Sequence, residues 1–439
     1  MNIYISGISG TGMGPLALMA RKAGINVYGS DRSLGAIAKE LENAGIEYQV
    51  GPQDGTYFSE KIDTVGIDWF IYTSALPQDH PELLMAKERG IKVSKRDELI
   101  AKLVKELDLK MVAVAGTHGK TTTTSMLVWA IDKLRDESGN RLLPSSYLVG
   151  TILSFAPSGS YKEGDKFFIY EADEYDRNFL HFHPWVSLIT YVSYDHPDIY
   201  KTRKDYEEAF IQFEEQSQNV IFATKEASLH GVDVLKAGGK EPQIIPEIDK
   251  RITLSGSPRR EDATSAFFAL KEMLRHCGQE VSDEKIIEVL NSFPGVRRRF
   301  ERVSEGFYSD YAHHPEEVKA TIDIASEEAG KLGKKGVVVV YQPHQNTRQH
   351  EVRALYKDAF DKADRIYWLP TFLTREDESL PVITPKEFIA DLNVKDKAFV
   401  AELDDDLAEK IKADHSEGYL VILLTAGPAD AWFRKTFAE

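Results

Sequence analysis

The sequence predicts an α/β fold of three domains, each built on a mainly parallel sheet. Three observations carry this. Short apolar runs rich in Val and Ile alternate with segments whose apolar residues recur at helical spacing. Glycine-rich turns at 7–14 and 116–119 each stand between an apolar run and a helical segment, the order of strand, tight turn and helix N-terminus. Finally, 439 residues exceed what one hydrophobic core organises.

The first domain, 1–107, opens with a strand at 2–6, the glycine turn at 7–14 and a helical stretch to about residue 23. A second strand, 26–28, ends in Gly29, Ser30 and Asp31. Further strands are expected at 69–72 and 91–93, with helices near 34–43 and 81–89. The charged stretch 105–110 marks a boundary. The second domain, 108–293, begins with the apolar run 111–114, which leads into the second glycine turn and a helix over 124–134. Strands follow at 167–170, 186–190 and 220–223. Segments 135–145 and 156–165 read as loops, 238–261 is polar and broken by Gly and Pro, and 265–274 is helical. The third domain, 294–439, holds strands at 306–309, 336–341, 365–369 and 419–424 with helical segments between them. The first and third domains are therefore Rossmann-like. The middle one is P-loop ATPase-like, because a lysine and a hydroxyl residue follow its glycine turn.

Composition narrows the partners. The chain has 54 Lys and Arg against 70 Asp and Glu, a net charge of −16. Such a field repels phosphate at long range, so neither nucleic acid nor a membrane surface is expected as a partner. A phosphate ligand must then be held by local groups and Mg²⁺. The single cysteine, Cys277, forms no internal disulfide and fits a reducing cytosol. The N-terminus lacks the basic and apolar regions of a signal peptide, and no apolar run approaches a membrane span, so a cytoplasmic protein is expected.

The chemistry concentrates at strand ends. Gly116, Thr117, His118, Gly119, Lys120, Thr121 and Thr122 follow the run 111–114. Backbone N–H groups of such a loop, with the helix N-terminus, cradle the phosphates of a nucleoside triphosphate. Lys120 can bridge the β- and γ-phosphates, and the Thr121 hydroxyl can ligate Mg²⁺. The loop is shorter than the common pattern, with Val114 where the first glycine belongs. Gly7, Gly10 and Gly12 invert the spacing of the dinucleotide fingerprint, but keep its physics of close backbone approach to a pyrophosphate. Asp31 can accept from a ribose or base donor. Glu171, Ala172, Asp173 and Glu174 follow a buried strand, where carboxylates are natural Mg²⁺ ligands, and Asp195-His196 follows the next strand. Three arginines, Arg297 to Arg299, can neutralise a transferring phosphate. Polar clusters at 310–315 and 342–348 close two strands of the third domain. Each feature also has a bland reading as a solvated turn or linker.

Taken in order, the strings at 7–13, 116–122, 171–174, 195–196, 298–300, 310–315 and 341–344 resemble those of the Mur ligases. The likeness spans all three domains. Within the family it lies nearest the branch that adds L-alanine to UDP-N-acetylmuramate, with the branch that attaches a recycled tripeptide close by. The resemblance implies an ATP- and Mg²⁺-dependent ligase of peptidoglycan precursor synthesis. The lactyl carboxylate would attack the γ-phosphate to give an acyl phosphate, which the amine of the amino acid then attacks. The first domain would hold UDP-N-acetylmuramate, with Gly7, Gly10, Gly12, Met13 and Asp31 in contact. The second would bind MgATP, with Lys120 on the γ-phosphate, Thr121 and Glu171 on one Mg²⁺ and His196 serving a second. The third would bring the amino acid. There Arg298 would contact phosphate, Asp310 the ATP ribose, and Tyr311, His344 and Arg348 the substrate, with Arg348 on the amino acid's carboxylate.

The chain departs from the family pattern in places. The Asn expected four residues before Asp-His is Tyr191, and an adenine-contacting His-Asn pair aligns with Glu261-Asp262. A second carboxylate-binding Arg is Gln345, and the Asn346-Thr347 that follows resembles the tripeptide ligases. Tripeptide ligation is thus the alternative reading. An inactive nucleotide-binding relative and, on the first domain alone, a nucleotide-cofactor oxidoreductase are the readings from other classes.

Overall fold

The computed structural model describes residues 1–10, 12–35, 37–73, 76–196, 199–223, 243–245, 249–374 and 376–438. Thr11 of the first glycine turn lies outside them, as do 238–242 and 246–248 of the polar segment. The chain divides into two compact units, one of 1–252 with 261–293, the other of 253–260 with 294–439.

In the first unit, the strands β1 (Asn2–Ser6), β2 (Asn26–Asp31), β3 (Glu47–Val50), β4 (Trp69–Tyr72) and β5 (Lys92–Lys95) form a parallel sheet of order β3-β2-β1-β4-β5. The order reverses between β1 and β4, so a crevice opens at their carboxyl ends, where the Gly7 turn lies. A second sheet holds β6 (Lys110–Ala115), β7 (Ser145–Leu148), β8 (Gly159–Ser160), β9 (Phe167–Glu171), β10 (Val186–Ile189), β11 (Val220–Ala223) and β12 (Gln243–Ile244). Its order is β12-β11-β10-β6-β9-β7-β8, parallel except for β8. Here β6, which feeds the phosphate loop, sits in the middle. A contiguous core runs from Ile3, Leu16 and Ile71 through Leu99 and Leu103 to Met111, Phe168 and Phe210, so the two sheets share apolar burial. The Tyr170 hydroxyl on β9 donates to Asp97 Oδ1 at 3.1 Å and adds a polar link.

The second unit's strands are β13 (Glu301–Ser304), β14 (Phe307–Asp310), β15 (Val337–Gln342), β16 (Arg365–Trp368), β17 (Ala398–Val400) and β18 (Leu420–Thr425). They are ordered β13-β14-β18-β15-β16-β17, with only the β13–β14 pair antiparallel. Alternate residues of β15 enter two different cores: Val337, Val339 and Tyr341 one, Val338 and Val340 the other. Burial on both faces is why this strand is apolar without alternation.

Several expectations need correction. The segment 156–165, read as a loop, contains β8, and β7 begins at the last residue of the segment 135–145; Ser145 and Ser146 are buried polar residues that hid the strand. The phosphate-loop helix spans Lys120–Lys133 and starts directly at the loop rather than at 124. The later helix extends over Ser257–Cys277, beyond 265–274, and the one expected at 34–43 begins only at Ala38. Edge strand β3 and the helices Thr56–Val65, Arg96–Glu106, Arg203–Glu215 and Asp283–Asn291 were not among the expected elements, although Asp283–Asn291 buries Ile286, Ile287, Val289 and Leu290 at helical spacing. Among the described residues no helix is long and apolar enough to cross a membrane.

Candidate active site

The first glycine turn lines a cavity of about 380 Å³. Gly7, Gly10, Gly12, Met13 and Asp31 all face it, as do Arg96, Asp173 and Asn178. The turn leaves β1 with Gly7 at φ 80° and passes into the helix Met13–Lys22. Asp31 Oδ2 accepts from Ser9 N at 2.9 Å, so this carboxylate also braces the turn. A side chain at residue 12 would place its Cβ 2.6 Å from Arg96 Nη1. The guanidinium therefore lies directly against the turn. Arg96 and Asn178 were missed in the sequence; the only signal was the basic pair Lys95-Arg96 at a strand–helix junction.

The phosphate loop follows β6. Gly116 has φ 135°, and a Cβ there would lie 2.8 Å from Tyr191 O; Gly119 has φ 85°, and a Cβ there would lie 2.5 Å from Asp262 Oδ1. Only glycine fits either position. Thr117 N donates to Tyr191 O at 2.6 Å, and Thr117 Oγ1 donates to Ser193 O at 2.8 Å, pinning the loop to the segment after β10. Tyr191 stacks its ring on His118 with centroids 5.4 Å apart. Thr122 is half-buried in the first turn of the helix. The Thr121 hydroxyl donates to Glu171 Oε1 at 2.7 Å, which brings together the two residues expected to share a metal. Glu171 Oε2 is buried and has no hydrogen-bond partner. A carboxylate oxygen so placed beside a hydroxyl fits a hard divalent cation.

Lys120 Nζ contacts Glu174 Oε2 at 2.5 Å and donates to Gly116 O at 2.6 Å. His196, at φ 59°, sets Nε2 3.7 Å from Glu174 Oε1 and 3.7 Å from Asp195 Oδ2. Burial opposes the charge on Lys120, but Glu174, Asp173 and Glu171 outweigh it and hold the ammonium above its usual range. Burial likewise works against His196, and Glu174 with Asp195 raises it. Glu174 is itself lowered, since Lys120 and His196 overcome its burial.

The second unit carries the remaining candidates. Asp310 ends β14, and its two oxygens accept from Phe300 N at 2.6 Å and Ala312 N at 2.7 Å. Burial pushes this carboxyl up to about 6. Arg298, at φ 57°, donates from Nη2 to Thr425 O at 2.6 Å and lies 4.7 Å above the Tyr311 ring. Burial lowers the Arg298 pKa. After β15, the His344 ring packs 5.8 Å from that of His313 and 5.7 Å from that of Phe372. Gln345 adopts φ 67° and donates its N–H to Phe372 O at 2.9 Å. Arg348 lies in the helix Asn346–Val352 that begins there. Burial, joined by the charge of Arg348, brings His313 down to about 4. His313 Nδ1 is 3.0 Å from Tyr311 O, which can only accept. The proton therefore sits on Nδ1, and Nε2 is left as an acceptor.

Three family models match the chain: "Mur ligase family, catalytic domain" over 2–107, "Mur ligase middle domain" over 114–240, and "Mur ligase, glutamate ligase domain" over 298–427. UDP-N-acetylmuramate–L-alanine ligase of Lactiplantibacillus plantarum is 31% identical over 400 residues, covering 86% of this chain and 86% of that protein. The ligase of the same name from Syntrophomonas wolfei is 32% identical over 404 residues, covering 82% and 80%. The fold matches a crystal structure of UDP-N-acetylmuramate-alanine ligase from Thermotoga maritima with TM-score 0.74 at 23% identity, over 99% of this chain and 98% of that one. A murein peptide ligase from Psychrobacter arcticus matches with TM-score 0.63 at 22% identity, over 100% and 97%. The structural likenesses speak for the fold alone. The sequence relatives speak for descent over nearly the whole length, and on that ground the chain belongs to the Mur ligase family.

Proposed function

We propose that this protein is an ATP-dependent ligase that joins L-alanine to the lactyl carboxylate of UDP-N-acetylmuramate, in the synthesis of peptidoglycan precursors. The observation that carries the reading is the Thr121–Glu171 pair at the head of the phosphate-loop helix, with Lys120 beside it. A loop that positions a lysine, a hydroxyl and a carboxylate suits phosphoryl transfer, and no hydride chemistry needs it. The L-alanine name borne by relatives over most of the chain favours that acceptor over a tripeptide.

In this reading residues 1–107 bind the UDP-sugar, 108–293 bind ATP and 294–439 bind the amino acid. The glycine turn meets the diphosphate with backbone N–H groups, and Arg96 adds a cation that the turn lacks. Lys120 balances charge on the γ-phosphate as a lactyl carboxylate oxygen attacks phosphorus and ADP leaves. Mg²⁺, held by Thr121 and Glu171 with His196 serving a second ion, supplies charge neutralisation when bound. The amine of L-alanine then attacks the acyl carbon, the carbon–oxygen bond to phosphate breaks, and the amine gives up a proton. Arg298 neutralises phosphate, Asp310 contacts the ATP ribose, and His344 and Arg348 orient the amino acid. Most of the rate comes from positioning and fixed charge.

The test is release of phosphate from ATP with UDP-N-acetylmuramate and, in turn, L-alanine, glycine, L-serine and the tripeptide. L-Alanine-dependent release supports the reading. Release with the tripeptide alone replaces it with the recycling ligase, and no release with any acceptor leaves an inactive relative.

A further inference from the structure

Glu174 touches both Lys120 and His196, the two groups on which the proposed phosphoryl chemistry depends. Its side chain is 1% exposed, against 13% for that of Lys120. One carboxylate oxygen meets the ammonium at 2.5 Å; the other lies 3.4 Å from the Tyr206 hydroxyl and faces His196 Nε2 at 3.7 Å. Tyr206 in turn shares a hydrogen bond with Thr117 Oγ1 of the phosphate loop at 2.8 Å. The backbone of Glu174 is fixed as well, since its carbonyl accepts from the Tyr200 hydroxyl at 2.5 Å and from Arg177 N at 3.0 Å.

Lys120 is the partner with more rotatable bonds. Its stem is a flexible four-carbon chain, and its ammonium is folded back onto the loop's own Gly116 carbonyl at 2.6 Å. In that pose the ammonium is engaged by the loop backbone and by Glu174 together. The carboxylate that keeps it there is anchored on both its backbone and its side chain. We propose that Glu174 is a positioning residue for the phosphate loop: it is the resting counter-ion of Lys120, and the triphosphate of ATP must displace it to recruit the lysine.

Two anions then compete for one cation. Without nucleotide, Glu174 keeps a desolvated ammonium charged and aimed along the loop, because an unpaired buried charge is costly. With nucleotide, the ammonium swings to the phosphates and Glu174 keeps Tyr206 and His196 as partners. Binding energy is therefore spent on breaking an ion pair, which weakens ground-state affinity and sets the lysine in place for the transferring phosphate. The inference rests on the ATP reading of this loop.

The test measures binding of a non-hydrolysable ATP analogue by calorimetry in EDTA, so that no metal contributes, with melting temperature recorded alongside. Glu174→Gln keeps the shape and removes the competing charge. It should lower the ligand-free melting temperature and tighten metal-free nucleotide binding, on the order of tenfold. Glu174→Asp, which keeps the charge but draws it back, should bind with intermediate affinity, and it carries the test if the Gln variant does not fold. Binding by Glu174→Gln that is unchanged or weaker overturns the proposal, as does binding by Glu174→Asp no tighter than wild type. A wild-type protein that fails to bind the analogue even with Mg²⁺ overturns the ATP reading itself.

Discussion

The Thr121 hydroxyl donates to Glu171 Oε1 at 2.7 Å, while the other oxygen of that carboxylate is buried without a hydrogen-bond partner. A divalent cation would satisfy both groups at once. Glu171→Gln keeps the size and removes the anionic ligand. The Mg²⁺ concentration for half-maximal turnover should rise by about tenfold or more, with excess Mg²⁺ restoring part of the rate. His196→Ala should act in the same direction and more weakly. A Mg²⁺ titration of each variant checks this, and curves that superpose on wild type would reduce the acidic cluster to a turn.

Lys120 reads from sequence as a loop lysine, yet its ammonium is paired with a buried carboxylate. Lys120→Ala should therefore do two separable things. Turnover should fall by on the order of a hundredfold or more, since one charge on the transferring phosphate is lost. The melting temperature should fall as well, because the buried Glu174 carboxylate loses its ammonium partner. The double variant with Glu174→Gln should regain melting temperature and no turnover. Wild-type turnover in folded Lys120→Ala would remove the loop from the mechanism.

Arg96 lies against the Gly12 backbone in the cavity of the first glycine turn. Arg96→Ala should raise the Michaelis constant for UDP-N-acetylmuramate about tenfold or more, through loss of a charge-assisted contact, with that for ATP unchanged. Steady-state kinetics with each substrate varied in turn decide it. An equal change in both constants would mean that Arg96 supports the fold.

Amino-acid choice turns on the helix Asn346–Val352. In the proposed reading, with Gln345 in place of a second arginine, Arg348 is the guanidinium offered to the substrate carboxylate. Arg348→Ala should raise the Michaelis constant for L-alanine sharply, and Gln345→Arg should lower it with little change in maximal rate, because the contact is present in ground and transition states alike. A better tripeptide substrate with no gain for L-alanine in Gln345→Arg would move the assignment to the recycling ligase.

Glu214 gives a pH dependence that lies outside the chemistry. It is 1% exposed, neither oxygen has a hydrogen-bond partner, and burial pushes the carboxyl up to about 9. An unfolded glutamate titrates near ~4.3. Between these values the folded state holds the extra proton, so stability falls as pH rises through that window. Glu214→Gln removes this titration. It should stabilise the protein at pH 7 by on the order of 3 kcal/mol, with the gain shrinking toward pH 5. Melting temperatures of both proteins from pH 5 to 8 check the sign; parallel curves would place the dependence elsewhere.

Local backbone demands made part of this protein legible. Gly116 and Gly119 take conformations open to glycine, and strand β6 and its helix flank them, so the phosphate loop could be read from consecutive residues. The strands 2–6 and 69–72 were equally plain, because apolar burial leaves a local pattern. The pairings across the site were not legible. Lys120 meets Glu174 across 54 residues, Gly119 abuts Asp262, and Arg96 reaches Gly12, each because of which strand lies beside which. Strand order is decided by the packing of whole sheets, and no single segment encodes it. The sequence by itself thus determined the loop, its reactive groups and the α/β architecture. Tertiary structure alone decided that Lys120 rests on a buried glutamate, since only folding brings the two together and excludes water from both.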